Sequence, residues 1–384
     1  MRANIRKTKC DETGSIHILL VIRWPAGGIR TFVKYFLRSV RSDRCRFSII
    51  ATECDGLTSL RESLDNEVDC WYSIPNDKML GLNFVKSIAR IVKEDEIDIV
   101  HAHGFSSSFY CLLGLIFSSA PYIVTSHDVI NDSQFSGSLG FFKMIALKLS
   151  LGRSKIVHSV SKDAADNLIN WFPGICEKSV VIRNGIEPEK FCNSSPISIC
   201  EDFGIDKSNK VVGFFGRFMS QKGFRYLVEA VDIIINRDVE SNIKVVCFGS
   251  GEFFREEKRS IEGKGLEANF VFAPFLEDVS GAMKGCDLIA MPSLWEACPL
   301  QPMEALCAGV PFVGSDCIGL REVLAGTPAI QVKAGDANSL AKGILECLEI
   351  GRQPFEDFAP IAVDRFDIRK SAKEIHALYE RVLG

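Results

Sequence analysis

The chain has 384 residues, with 45 Lys or Arg against 49 Asp or Glu and a formal net charge of −4; 47% are hydrophobic and 24% charged. This composition is that of a globular chain of two or three domains, and it excludes wholesale disorder. The charge balance excludes a dedicated nucleic-acid binder, which carries a strong basic excess, and no apolar run reaches the roughly eighteen residues of a membrane span.

In chain order, short apolar runs alternate with amphipathic stretches. Strands are predicted at Ile16–Ile22, Phe47–Ala51, Asp98–His101, Tyr122–Thr125, Ile156–Val160 and Val180–Ile182, with helices near 28–41, 81–94, 105–118, 138–150 and 162–171. A polar stretch, Glu187–Asn209, reads as a linker. The pattern then restarts. Strands are predicted at Lys210–Phe215, Ile243–Phe248, Phe270–Phe272, Leu288–Met291 and Pro311–Gly314, with a helix at Phe224–Asn236 and a last one at Phe366–Leu383. Strands that are apolar throughout and separated by helices are covered on both faces, as in doubly wound parallel sheets. The expected division is residues 1–186, 187–365 and a C-terminal helix, 366–384, that crosses back to the first domain.

The N-terminus, MRANIRKTKCDETG, lacks the apolar core of a signal peptide. The 14 cysteines show no CxxC spacing. Reduced thiols in a cytoplasmic setting are therefore expected.

The most informative segment is Met291–Val313, MPSLWEACPLQPMEALCAGVPFV, in which Glu296 and Glu304 stand eight apart across a helix start. Carboxylates placed so can point into one cleft and accept paired hydrogen bonds from sugar hydroxyls; an acidic pair solvated at a helix N-terminus explains the spacing alone equally well. The string Pro292, Ser293, Glu296, Pro299, Glu304, Ala305, Ala308, Gly309 and Pro311 resembles the E-x7-E region of glycosyltransferase family 4. Phe214–Gly223 (FFGRFMSQKG) is similar to that family's G-R-x-x-x-x-K-G element.

The resemblance implies a GT-B fold, two Rossmann-like domains facing across a cleft. It implies an enzyme that moves a sugar from a nucleotide-diphospho-sugar with retention of configuration. Arg217 and Lys222 would clamp the donor diphosphate, Glu304 the ribose and Glu296 the donor sugar, with Pro299 and Leu300 beside them. His127, in VTSHDV, would sit by the transferred sugar. Substrate-side residues by resemblance are Gly27 and Gly28 of PAGGI, His103 of VHAHG, Asn184 of VIRNGIE, and Gly249 and Gly251 of FGSGE. For Gly27, Gly28 and Asn184 an ordinary turn serves as well. Ala297 and Ile318 stand where the family has glycine, which bears on donor preference. No Asp-x-Asp metal motif is evident, so no metal and no cofactor beyond the nucleotide-sugar donor are expected.

The acceptor side offers Arg30, Lys34, Arg38 and Arg41, spaced 4, 4 and 3 along one helix. Such a basic face can rest on an anionic membrane, which would suit a glycan or lipid-linked acceptor in cell-surface polysaccharide or glycolipid synthesis at the inner face of the cytoplasmic membrane; a solvated outer face reads the same way. A transferase with a soluble acceptor, a silent nucleotide-sugar-binding protein on the same fold and a dinucleotide oxidoreductase are the rivals. The last lacks a GxGxxG followed by an acidic residue.

Overall fold

The structure, a computed structural model, describes residues 15–40, 44–64, 66–237, 242–274 and 276–384. Seven parallel strands form the first sheet: β1 (Ile16–Ile22), β2 (Cys45–Thr52), β3 (Cys70–Ile74), β4 (Ile99–His103), β5 (Tyr122–Ser126), β6 (Ile156–Ser159) and β7 (Ser179–Val181), in the order β3-β2-β1-β4-β5-β6-β7. Six form the second: β8 (Lys210–Phe215), β9 (Ile243–Phe248), β10 (Phe270–Ala273), β11 (Leu288–Met291), β12 (Phe312–Ser315) and β13 (Ile330–Val332), in the order β10-β9-β8-β11-β12-β13. The two orders are the same doubly wound order, and each reverses beside its own first strand. Ligands bind at such switch points, beyond the carboxyl ends of the strands. No helix among the described residues is long and apolar enough to cross a membrane.

The central strands are buried on both faces, as in β1 and β5. Two edge strands, β3 and β13, were not predicted. Both are short, and polar or half-exposed residues break their apolar run. Edge strands cover only one neighbour, so the pattern of a buried parallel strand fades there. The stretch Glu187–Asn209 is not an open linker. It forms two short helices, Pro188–Cys192 and Ile199–Asp202, that bury Phe191 and Ile199.

The Ile368–Leu383 helix packs on the Gly27–Ser39 helix of the first sheet's layer. Its Tyr379 hydroxyl lies 2.7 Å from His101 Nδ1. His101 Nε2 lies 2.6 Å from Thr125 Oγ1, and that hydroxyl 2.9 Å from His158 Nδ1. His158 Nε2 donates to Ile182 O at 2.9 Å. This buried chain ties the C-terminal helix through β4, β5 and β6 to the end of β7. Burying these polar groups costs little because their partners are supplied.

Candidate active site

Both switch points face one cleft. On the second domain, β8 leads into the loop that carries Arg217 and Lys222. Gly223 closes this loop with φ 62°, and a Cβ there would stand 2.1 Å from Pro292 O. Only glycine combines that backbone with so close an approach. A Cβ on Gly249 would lie 1.9 Å from Gly216 O, and one on Gly251 2.4 Å from Phe218 O. These two glycines therefore seat the Arg217 loop by backbone packing. Gly216 N donates to Phe248 O and Phe218 N to Ser250 O, each at 3.0 Å.

Lys222 Nζ donates to Glu296 Oε1 at 2.6 Å, with both side chains largely buried. Ser293 Oγ donates to the same oxygen at 2.8 Å. Charge-assisted bonds in a partly dry site hold the ammonium and carboxylate rigidly. Arg217 is exposed, and among the described residues it has no ion-pair partner.

Glu304 lies in the Gln301–Cys307 helix, behind the buried Pro299 and Leu300. Burial pushes its carboxyl up to about 7, against the opposing pull of Lys190 and with Asp278 adding to the rise. Glu304 also raises the Tyr35 phenol across the cleft, second to burial.

The first domain supplies the other wall. Gly27 and Gly28 open the Gly27–Ser39 helix directly after β1 and are exposed. Gly27 has φ 55°, and a Cβ there would stand 3.7 Å from Arg217 Nη2, so this backbone and the guanidinium face each other. β4 runs two residues past the predicted end at His101, so His101 and His103 both lie within it, two apart and on one face. His103 Nδ1 is 3.0 Å from His127 Nε2, and the ring of Phe32 packs edge-on against His127. His103 is buried, and its Nε2 has no partner among the described residues. Burial, and then the neighbouring imidazoles, hold His101, His103 and His127 well below the usual imidazole range. This wall is neutral at pH 7.

Asn184 points elsewhere. Its Nδ2 donates to Cys298 O at 2.9 Å, making it a strut between the domains. Residues the sequence reading missed complete that strut. Ser161 Oγ donates to Ala297 O at 2.5 Å. Asp163 accepts two bonds from Arg321, at 2.8 Å each, and one from Gly319 N. Glu322 accepts from Arg183 and from Asp163 N. A serine and an aspartate at a helix start carry no sequence signal of such a role. Their partners lie more than 130 positions away.

On the basic face of the Gly27–Ser39 helix Arg38 is exposed. Arg30 and Lys34 are half-buried, and burial, Arg38 and Lys190 lower the Lys34 ammonium. Arg38 donates to Glu187 at 3.4 Å and to Ser63 O at 3.1 Å. Lys34 and Arg38 therefore stand beside the Glu187–Lys190 segment that leads into the second domain. Arg41 lies outside the described residues. Among the described residues, no group of three or more His, Cys, Asp or Glu side chains is gathered as a metal site. A separate depression lined by Glu53, Leu57, Arg61 and Ser73 holds none of the candidate residues.

Residues 26–190 match the family described as Glycosyltransferase Family 4, and residues 209–349 match Glycosyl transferases group 1. Together the two matches take in most of the chain, which is a glycosyltransferase of the family 4 type. Its two facing parallel-sheet domains are the GT-B fold. This family 4 chain is 24% identical over 240 residues to the UDP-Gal:alpha-D-GlcNAc-diphosphoundecaprenol alpha-1,3-galactosyltransferase of Escherichia coli, a match that spans 61% of each chain. It is 24% identical over 303 residues to the phosphatidyl-myo-inositol mannosyltransferase of Mycobacterium leprae, covering 77% of this chain and 76% of that one. Among solved structures, Anabaena HepE in complex with UDP and glucose has a TM-score of 0.81 at 21% identity, covering 95% of this chain and 100% of that one. That likeness is one of fold.

Proposed function

We propose that this chain transfers a sugar from a nucleotide-diphospho-sugar to a glycan or lipid-linked acceptor, with retention of anomeric configuration and without a metal ion. The observation that carries the reading is the Lys222–Glu296 pair, set beside Arg217 at the second switch point and opposite a neutral histidine wall. In this reading the C1–phosphate bond breaks as the acceptor oxygen bonds C1 from the same face. The acceptor proton passes to the leaving phosphate oxygen, and the nucleoside diphosphate departs.

Arg217 and Lys222 neutralise the charge that grows on the diphosphate, a duty that fixed cations perform in place of a metal. Lys222 keeps donor hydrogens for phosphate while bound to Glu296. Glu296 Oε1 is taken by Lys222 and Ser293, which leaves Oε2 to accept from donor-sugar hydroxyls. Glu304 accepts from the ribose. His127, steadied by His103, packs beside the sugar ring, where a neutral imidazole offers a hydrogen bond without repelling the cations opposite.

The names of the two relatives mention diphosphoundecaprenol and phosphatidyl-inositol carriers. They support a lipid-linked acceptor in cell-surface polysaccharide or glycolipid synthesis, at the inner face of the cytoplasmic membrane. UDP and glucose in the HepE complex make UDP-glucose the first donor to test. A thermal-shift panel of UDP-, GDP- and ADP-sugars, followed by donor hydrolysis and the anomeric coupling constant of any product, tests the reading. Stabilisation by a donor without hydrolysis would favour a silent binding protein, and absence of both across the panel would remove the reading.

A further inference from the structure

The outer surface of the first domain departs from what a water-facing surface requires. Three neighbouring helices, Leu80–Glu94, Phe105–Gly114 and Gly137–Arg153, pack side by side on one face of the first sheet. Ser150 Oγ donates to Ser108 O at 2.8 Å, and Gly114 lies directly against Ile88. The inner side of the Gly137–Arg153 helix is ordinary, with Leu147 and Leu151 buried. Its outer side is apolar as well. Leu139, Phe142, Ile145 and Leu149 form one stripe at helical spacing, with Phe142 66% and Leu149 58% exposed. The next helix and the turn after it add Phe109, Leu113, Ile116 and Phe117, again exposed.

Single exposed hydrophobics are normal; a contiguous patch marks a binding surface. Among the described residues, eleven of the eighteen most exposed large hydrophobic side chains fall between Met79 and Leu149. A helix that carries an apolar stripe on its outer side as well as its inner one has that outer stripe left to cover.

Charge decides what covers the patch. The Phe105–Gly114 helix carries no charged side chain, and the Gly137–Arg153 helix carries Lys143, Lys148 and Arg153 with no acid. Arg153 is engaged with Leu115 O and Ser118 O. Lys143 and Lys148 stand exposed on either flank of the apolar stripe. A second copy meeting this face across a two-fold axis would set lysines against lysines, with no carboxylate on either helix to pair them. An anionic lipid surface supplies the missing partner, and lysine stems reach its headgroups while the aromatic rings enter the acyl boundary.

We propose that the paired outer faces of the Phe105–Gly114 and Gly137–Arg153 helices are a docking surface for an anionic lipid bilayer. Both helices start at the carboxyl edge of the sheet, beyond β4 and β5. The His103–His127 pair lies on the opposite face of this sheet, against Phe32, so the docked face is the back of the first domain and not the wall of the cleft. The surface replaces the Gly27–Ser39 helix as the membrane-facing element. It goes beyond the reading of the reaction, and vesicle binding is measured without sugar transfer, so either can fail alone.

The full chain is sedimented with vesicles mixing phosphatidylcholine and phosphatidylglycerol, and with pure phosphatidylcholine. Wild type binds the anionic vesicles at low salt. The double change Phe142→Glu/Leu149→Glu lowers apparent affinity at least about tenfold. Lys143→Gln/Lys148→Gln, which leaves the packing untouched, also weakens binding about tenfold, and its effect fades as salt rises. Ile361→Glu, as exposed as Leu149 but outside the first domain, leaves binding unchanged. Wild-type protein that stays in the supernatant at low salt overturns the proposal, as does unaltered binding by either double variant. A dimer seen by light scattering that Phe142→Glu/Leu149→Glu dissolves also overturns it, by assigning the patch to self-association.

Discussion

The two walls of the cleft solve opposite electrostatic problems. The second domain holds charge in place: Lys222 and Glu296 share a bond of 2.6 Å, and Arg217 reaches toward the Gly27 backbone. The first domain suppresses charge. Its histidines are buried against one another and held neutral by desolvation. A leaving diphosphate needs cations beside it, whereas an acceptor and a sugar ring need a shaped surface that does not compete for those cations. In the proposed reaction one wall would work through its charges and the other through their absence.

The largest test of that contrast is on the charged wall. Lys222→Ala should reduce kcat/KM for the nucleotide-sugar by about 2–4 kcal/mol of transition-state stabilisation. Near-wild-type kcat/KM would break the comparison outright.

On the neutral wall the sign runs through protonation. His158 is held down to about 4 by burial, and its three neighbours also lie low. As pH falls below the ordinary imidazole value of about 6.5, the unfolded chain takes up protons before the folded one. Stability present above that pH is lost progressively down to about 4, at most about 3 kcal/mol for His158 alone. Urea midpoints measured from pH 7 to pH 4 should fall, and a His158→Asn variant should fall less steeply. Equal slopes for the two proteins would remove the histidines from the account.

Tyr379→Phe strips the partner from His101 Nδ1 and should cost about 1–3 kcal/mol, the penalty of an unsatisfied buried polar group. Chemical denaturation reads it. An unchanged midpoint would mean that water replaces the hydroxyl and that the C-terminal helix is held by packing alone.

A smaller effect belongs to Glu304, whose carboxyl burial has pushed to about 7. Accepting from a ribose requires the ionised form, so donor affinity should improve about tenfold between pH 6 and pH 8. Glu304→Gln should flatten that dependence. The smallest expected effect is none: excess EDTA should leave the rate unchanged, because cations of the protein serve the diphosphate. Activity lost to EDTA and restored by Mg²⁺ would place a metal where Arg217 and Lys222 are read.

Most of the charged wall was legible before the fold was known. Arg217, Lys222, Glu296 and Glu304 lie in two contiguous strings, each at the exit of an apolar strand. The neutral wall was only half legible. His127 stood out, but nothing in VHAHG shows that His103 would bond it or that His101 would meet Tyr379, 278 positions on. The struts from Ser161, Asp163 and Asn184 to the second domain carried no signal either. The lipid-facing stripe was visible as residues, yet FFKMIALKLSLG reads like any buried helix until its neighbours leave one side uncovered.

By itself the sequence determined the strand–helix alternation, the two doubly wound sheets and the residues at the ends of β8 and β11. These follow from side-chain periodicity and from chemistry packed within a few residues, where chain connectivity alone sets the distances. Only the tertiary structure decided which face of the Gly27–Ser39 helix looks into the cleft, which histidines bond one another, and which helices present apolar sides to the outside. Those outcomes depend on how two sheets built by local rules are set against each other. That setting arises from contacts such as Asp163–Arg321 and Ser161–Ala297, whose partners have no proximity until the chain has folded.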